Sequence, residues 1–266
     1  MEWLLAYLFL GLFTGIIAGL LGVGGGLVMV PALTWAFAYQ GFAADYNIHL
    51  ALGTSLAVII PTSISSLRAH HAHGAVDGCL VRRITPGIVL GSLLGGGVAA
   101  FLPDRYLKLF FIAFLLYAAT QMLLGFKPKP QRGLPGAAGM GLAGGIIGLI
   151  SSWVGIGGGT LSVPFQIWCN VGMHRAIGTS AAIGLPIALA GMLGYVLSGH
   201  VATNLPAWSL GFVYLPAFLC IALGSGLTAP LGAKLTHRLP VSRLRRIFAT
   251  LLYLLAARMI YGIWAA

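Results

Sequence analysis

Acidic side chains are almost missing from this sequence. In 266 residues there are four, Glu2, Asp45, Asp77 and Asp104, and each falls at the terminus or in a predicted loop. Carriers of protons or metal cations normally keep an Asp or Glu within the membrane, where the cost of burial is tolerated because the group is functional. Their absence disfavours a cation pathway and leaves open an anion pathway lined by hydroxyls, amides and helix N-termini. Cysteine is also scarce: Cys79, Cys169 and Cys220 have no paired spacing, so neither a disulfide frame nor a metal site is expected, and each reads as a small packing residue. The chain shows no Ser/His/Asp or Cys/His constellation, carboxylate pair or phosphate loop preceding a lysine. An enzyme is therefore not expected, nor is a cofactor.

What the chain has in abundance is apolar surface. Hydrophobic residues make up 59% of it, charged residues 7%, and mean hydropathy is +0.96, outside the range of soluble domains. Stretches long enough to cross a bilayer recur from end to end, so the reading is one polytopic membrane unit partnered by the lipid bilayer, with no room for a soluble domain. Glu2 stands where a signal peptide would carry its basic region, so the first helix is expected to be retained. The net charge of +11 comes from Lys and Arg lying between apolar runs; this is the positive-inside signature of cytoplasmic loops rather than a nucleic-acid surface.

The chain resembles itself. "GVGGGLVMVP" (Gly22 to Pro31) recurs as "GIGGGTLSVP" (Gly155 to Pro164), "HLALGTSLA" (His49 to Ala57) as "HRAIGTSAA" (His174 to Ala182), and "FLPDRYLKLFF" (Phe101 to Phe111) is answered by "RLPVSRLRRIF" (Arg238 to Phe248). Pro61 and Pro186 stand 125 residues apart, as do His49 and His174. Three matched blocks in one order indicate duplication, with repeat one at 1–126, a Lys/Pro-rich cytoplasmic linker at 127–133 and repeat two at 134–266. Basic loops alternate between equivalent positions. The loop with Arg68, Arg82 and Arg83 has a counterpart, "SGHVATNLPAW", without Lys or Arg, whereas the weakly charged turn at Asp104–Arg105 faces one holding Lys234, Arg238, Arg243, Arg245 and Arg246. Opposite orientation of the halves accounts for this, as in the inverted-topology repeats of secondary transporters.

The expected fold is therefore all-α and polytopic, two inverted repeats of about five helical segments each, with both termini outside. The segments fall at roughly 3–21, 27–39, 48–67, 84–101, 107–125, 136–151, 159–169, 176–197, 209–232 and 246–264. The second segment of each half is too short for a core of about 30 Å. The first two segments of each repeat should then form a glycine-tipped hairpin or broken helix.

These breaks hold the candidate substrate site. Gly24, Gly25 and Gly26 and their counterparts Gly157, Gly158 and Gly159 allow close backbone approach. The helices behind them, from near Leu27 and Thr160, would aim unpaired N–H groups at a polar cavity suited to an anion. Isolated glycines such as Gly91 and Gly95 read instead as helix-packing positions. Thr54, Ser55, Thr179 and Ser180 place hydroxyls near the start of a helix in both halves, either as ligand contacts or as caps. Thr160, Ser162 and Gln166 are polar where the first repeat has Leu27, Met29 and Leu33, so a ligand with one polar and one apolar end would fit. Arg258, in the last span, either attracts an anion or snorkels to the headgroups. His70, His71 and His73 with Asp77 suggest a metal site, but read more simply as a solvated cytoplasmic turn.

These residues resemble the TauE/SafE sulfite exporter family, within the toluene sulfonate uptake permease superfamily. The resemblance runs through "AGLLGVGGGLVMVPAL", "ALGTS", the "GAVD" after the first long span, "GIGGGTLSVP" and "AIGTS", and covers essentially the whole chain. It implies a permease of the bacterial inner membrane moving small sulfur-containing anions such as sulfite, sulfoacetate or other organosulfonates by alternating access, with a homodimer allowed for. Two rival readings are an anion channel, and a membrane-embedded assembly or redox-maturation factor using the histidine loop at His70–His73.

Overall fold

A computed structural model describes residues 2–21, 25–125, 133–236 and 241–264. The described chain is built from ten α-helices in the order expected: α1 (Glu2–Leu21), α2 (Gly26–Tyr39), α3 (Asn47–Ala72), α4 (Gly78–Ala99), α5 (Asp104–Leu124), α6 (Ala137–Val154), α7 (Gly159–Trp168), α8 (Met173–Ser198), α9 (Leu215–Thr236) and α10 (Val241–Trp264). Six stretches are long and apolar enough to span a bilayer, those of α1, α3, α5, α6, α8 and α10. Helices α2 and α7 have 14 and 10 residues; at about 1.5 Å per residue neither reaches across about 30 Å of hydrocarbon.

Four boundaries differ most from the sequence expectation, one of them the start of α10 at Val241 rather than near 246. Helix α3 runs on to Ala72, so His70 and His71 lie in its last turn and His73 follows as the cap; the anticipated loop begins at His73. Arg82 and Arg83 sit in the first turns of α4, whose N-cap is Asp77, with Leu80 N–H donating to Asp77 Oδ1 at 3.1 Å. A cap that satisfies an orphan N–H lets a helix start ahead of its apolar stretch. The segment expected as one helix over 209–232 opens instead with a two-stranded hairpin, β1 (Ser209–Leu210) and β2 (Val213–Tyr214), turned at Gly211 with φ of 54°.

Helices α3 and α8 pack against each other at the centre and are the most buried of the candidate spans; α1 and α10 are the least. Around them α1 lies along α9, and α6 along α4, each seam closed by glycines that bring backbone to backbone. A Cβ on Gly11 would lie 2.5 Å from the Ile221 carbonyl oxygen, and one on Gly148 would lie 2.5 Å from that of Ile88. Gly91 abuts Gly145, and Gly95 abuts Ser152, in the same α4–α6 seam. In lipid, where apolar side chains gain little by meeting one another, such close approach is what holds helices together. Gly148→Val should therefore lower stability by about 1–3 kcal/mol, the cost of overpacking a seam bounded by backbone, read as a fall in melting temperature of the protein in detergent.

All four carboxylates stand at helix ends: Glu2 opens α1, Asp45 lies in the short 3₁₀ turn before α3, Asp77 caps α4, and Asp104 opens α5, where its Oδ1 accepts the Ile48 N–H at 2.9 Å. The core between is apolar, and the polar groups buried in it are hydroxyls, amides and His49.

Candidate functional site

The two glycine runs meet. Helix α6 is capped by Gly155, whose φ of 62° is the left-handed conformation that glycine adopts without penalty, and the turn returns N–H groups of 155 and 156 to the Ser152 and Ser151 carbonyls. On the other run Gly25 has φ of 66° and immediately precedes α2. Gly26 packs so closely on the Gly155 carbonyl that a Cβ there would overlap it. The same carbonyl accepts a hydrogen bond from Ser55 Oγ at 2.8 Å. Gly24 lies outside the described residues.

The GTS blocks on α3 and α8 grip the chain in matching ways. Thr54 Oγ1 accepts the Tyr214 N–H and Thr179 Oγ1 accepts the Asp77 N–H, each at 3.0 Å. Beside them Gly53 abuts the Phe212 carbonyl and Gly178 that of Ala75. Each Gly-Thr pair thus clasps the segment leading into the following helix, α9 in one case and α4 in the other. The clasped segments are "GAVD" (Gly74 to Asp77) and "GFVY" (Gly211 to Tyr214), a correspondence too short to stand out in the sequence. The threonine oxygens are therefore already engaged by backbone. The Tyr214 ring packs against Phe37 and Phe42. At the other clasp Arg175 Nη2 donates to Asp77 Oδ2 at 3.0 Å. That arginine side chain is 63% exposed, so Arg175→Ala should cost under about 1 kcal/mol, as for other surface ion pairs, measured as a small shift in melting temperature.

Polar groups gather behind the second tip. The helix α7 starts at Gly159, so the N–H groups of its first turn lack intrahelical acceptors. Gly158, Ser162 and Gln166 follow one another at helical spacing along one face. Ser162 Oγ donates to the Gly158 carbonyl at 2.6 Å, is hydrogen-bonded to Ser180 Oγ, and Gln166 Nε2 donates to Ser180 Oγ at 3.1 Å. All three side chains are at least 97% buried. Two atoms in this region are buried without any partner, Gln166 Oε1 and Thr160 Oγ1. Across from them, Gly184 of α8 lets Ser63 approach the tip closely: a Cβ there would stand 3.1 Å from Ser63 Oγ and 3.6 Å from the Gly158 nitrogen. Ser63 and Gly184 were not singled out in the sequence, because their relevance comes from α3 and α8 crossing at the tip. No Asp, Glu, Lys, Arg or His is among the residues assembled there.

Of the expected site residues, Gly157, Gly158, Gly159, Thr160, Gln166 and Ser180 surround the second tip, while Gly25, Gly26 and Ser55 form its junction with the first. The first tip is apolar behind the glycines, with Leu27, Met29 and Leu33 fully buried. Thr54 and Thr179 hold the clasps. Arg258 is not brought to the tips: it is exposed on α10, which packs on α5 and α2, with its guanidinium 5.7 Å from the Tyr261 ring centroid. A hydropathy profile places an arginine within a span but does not say which face it takes. Among the described residues no group of three or more His, Cys, Asp or Glu is placed to hold a metal; Asp77, next to the histidines in sequence, is engaged by α4, Thr179 and Arg175.

Comparison with known proteins places this arrangement in a wider set. The family model described as sulfite exporter TauE/SafE matches residues 7–259. A probable membrane transporter protein of Haemophilus influenzae is 36% identical over 97% of this chain and 98% of its own. The probable membrane transporter protein YunE of Bacillus subtilis is 26% identical over 95% of each chain, and one from Methanocaldococcus jannaschii is 27% identical over 91% of this chain and 90% of its own. No solved structure matches.

Proposed function

Because the chain belongs to the sulfite exporter TauE/SafE family and is a multi-pass membrane transporter, we propose that its cargo is a small sulfur-containing anion, sulfite or an organosulfonate such as sulfoacetate, moved by alternating access. The observation that carries this reading is the buried cluster at the second tip: hydroxyls, an amide and free helix N–H groups, with no ionised side chain and two polar atoms left without partners. Burying a polar atom unpaired costs about 1–3 kcal/mol. A ligand that completes the arrangement would remove that cost. N–H and O–H donors at the positive end of a helix favour an anion, and the absence of carboxylates spares the anion repulsion.

The ligand's oxygens would be held by the N–H groups of Gly157–Gly159 and by Thr160, beside Gln166. An apolar substituent would face Leu27, Met29 and Leu33. Movement would come from rocking one half against the other, and three features support such halves. Each GTS block clasps the chain in the same way, α1 packs on α9 as α6 packs on α4, and the tips meet where Gly26 abuts Gly155 and Ile156. We further propose that the halves are inverted repeats at 1–126 and 134–266, that the Arg68–Arg83 and Lys234–Arg246 regions and the linker face the cytoplasm of a bacterial inner membrane, and that both termini lie in the periplasm.

Purified protein in liposomes, offered a panel of labelled anions, tests the substrate class. Saturable uptake of sulfite or an organosulfonate, with chloride and metal cations excluded, is the expected result; failure to move any sulfur oxyanion would remove the reading.

A further inference from the structure

The hydrogen bonds at the second tip have only one consistent direction. Ser162 has a single hydroxyl proton, and it goes to the Gly158 carbonyl at 2.6 Å. In the Ser162–Ser180 bond, Ser180 must then be the donor. With its own proton used, Ser180 Oγ accepts from Gln166 Nε2 at 3.1 Å. The chain of donation runs from Gln166 through Ser180 and Ser162 to Gly158. Turning the amide over would make Ser180 donate to Gln166, leaving the two serine oxygens in contact with no hydrogen between them. The relay therefore fixes which end of the amide is which, a choice that amide geometry alone leaves open.

The consequence is a free acceptor. Gln166 Oε1 is fully buried and receives no hydrogen bond, in a cluster whose other unfilled positions are mostly donors. Because a long side chain on a helix leans back towards its N-terminus, the amide sits beside Ser162 and Ser180 near the tip rather than at the far end of α7. A fully deprotonated oxyanion has nothing to give that oxygen and would be repelled by its lone pairs. An oxyanion that keeps one O–H satisfies it while its remaining oxygens take the N–H and O–H donors.

We propose that Gln166 selects for a protonated oxyanion: the substrate is bound as a monoanion carrying one O–H, of which hydrogensulfite in its O–H form is a sulfur example, with that O–H donating to Gln166 Oε1. This rests on the anion-transport reading above and narrows it. It also lets a proton cross with the cargo without any titratable residue at the site. Of the elements around α7, α6 carries no titratable side chain. Helix α8 offers His174 and Arg175, both exposed at its first turn, and Tyr195, whose hydroxyl is committed to the Ser152 carbonyl at 3.2 Å. From α3 the group facing the tip is Ser63, and Cys169, buried, follows α7. The pH dependence of transport should accordingly be the substrate's own.

The test uses the whole protein in liposomes and two probes, labelled sulfite and labelled methanesulfonate, the second having no O–H at any pH used. Wild-type sulfite uptake is expected to fall about ten-fold per pH unit above the second ionisation of sulfurous acid, as the protonated fraction falls, while methanesulfonate uptake stays level and slower. Gln166→Met, similar in length and lacking the acceptor, should lower the ratio of sulfite to methanesulfonate uptake at acid pH by about ten-fold. Sulfite uptake that does not follow the protonated fraction, or an unchanged ratio in a Gln166→Met protein that elutes like wild type, overturns the proposal while leaving anion transport standing. If Gln166→Met does not fold, the wild-type pH series decides alone. No flux of either anion overturns the sulfur-anion reading and this proposal with it.

Discussion

Gly26→Val is expected to abolish transport and to lower stability by about 1–3 kcal/mol. Its Cα rests against the Gly155 carbonyl, and that oxygen is also held by Ser55 Oγ at 2.8 Å. Neither partner is the yielding end of a long side chain: one is backbone in a left-handed turn, the other a serine on the central helix α3. A new side chain must therefore push the two tips apart, and with them the start of α7, whose N–H groups we assign to the anion. Flux in liposomes and melting temperature in detergent, measured on one preparation, read both effects. Ser55→Ala removes only the hydrogen bond, about 0.5–1.5 kcal/mol, and should leave more flux than Gly26→Val does.

Gly184→Ala should do the opposite kind of damage, removing flux while the protein folds as before. The added methyl would meet Ser63 Oγ at 3.1 Å and the Gly158 nitrogen at 3.6 Å, a contact that a slight shift of the serine relieves. Alanine also suits a helix interior better than glycine, by about 0.8–1.0 kcal/mol. Stability should hold or rise slightly. The methyl would nevertheless stand between Ser63 and the tip, where we propose that the anion binds, so flux should drop by about ten-fold or more, the equivalent of losing one good polar contact. Normal flux with normal stability would place the ligand elsewhere.

The helices were legible because hydropathy and its interruptions mark them directly: the ten expected segments correspond to ten α-helices among the described residues, and the shortness of α2 and α7 follows from glycine runs that end an apolar stretch early. The boundaries that moved are those set by caps and turns. Asp77 starts α4 ahead of its apolar stretch, and Gly211 turns a hairpin where hydropathy alone suggests helix. At the site, Gln166 and Thr160 stood out because their counterparts in the other repeat are apolar. Ser63 and Gly184 did not, since only the crossing of α3 and α8 gives them a neighbour in common. The threonines were visible as a repeated pair, but whether a hydroxyl meets a ligand or a loop is decided by residues 102 and 160 positions away, which no local pattern records. Arg258 illustrates the limit in another way, because its place in a span is written in the sequence and its face is not.

Alternating access at the second tip is most directly tested by counterflow. Liposomes containing the protein and loaded with unlabelled sulfite are placed in a trace of labelled sulfite with no membrane potential. A carrier that exposes one site alternately should accumulate label transiently above equilibrium, and should do so less with Gly184→Ala. Label that only equilibrates, at a rate that rises in proportion to concentration without saturating, would contradict the account and indicate an open anion pathway.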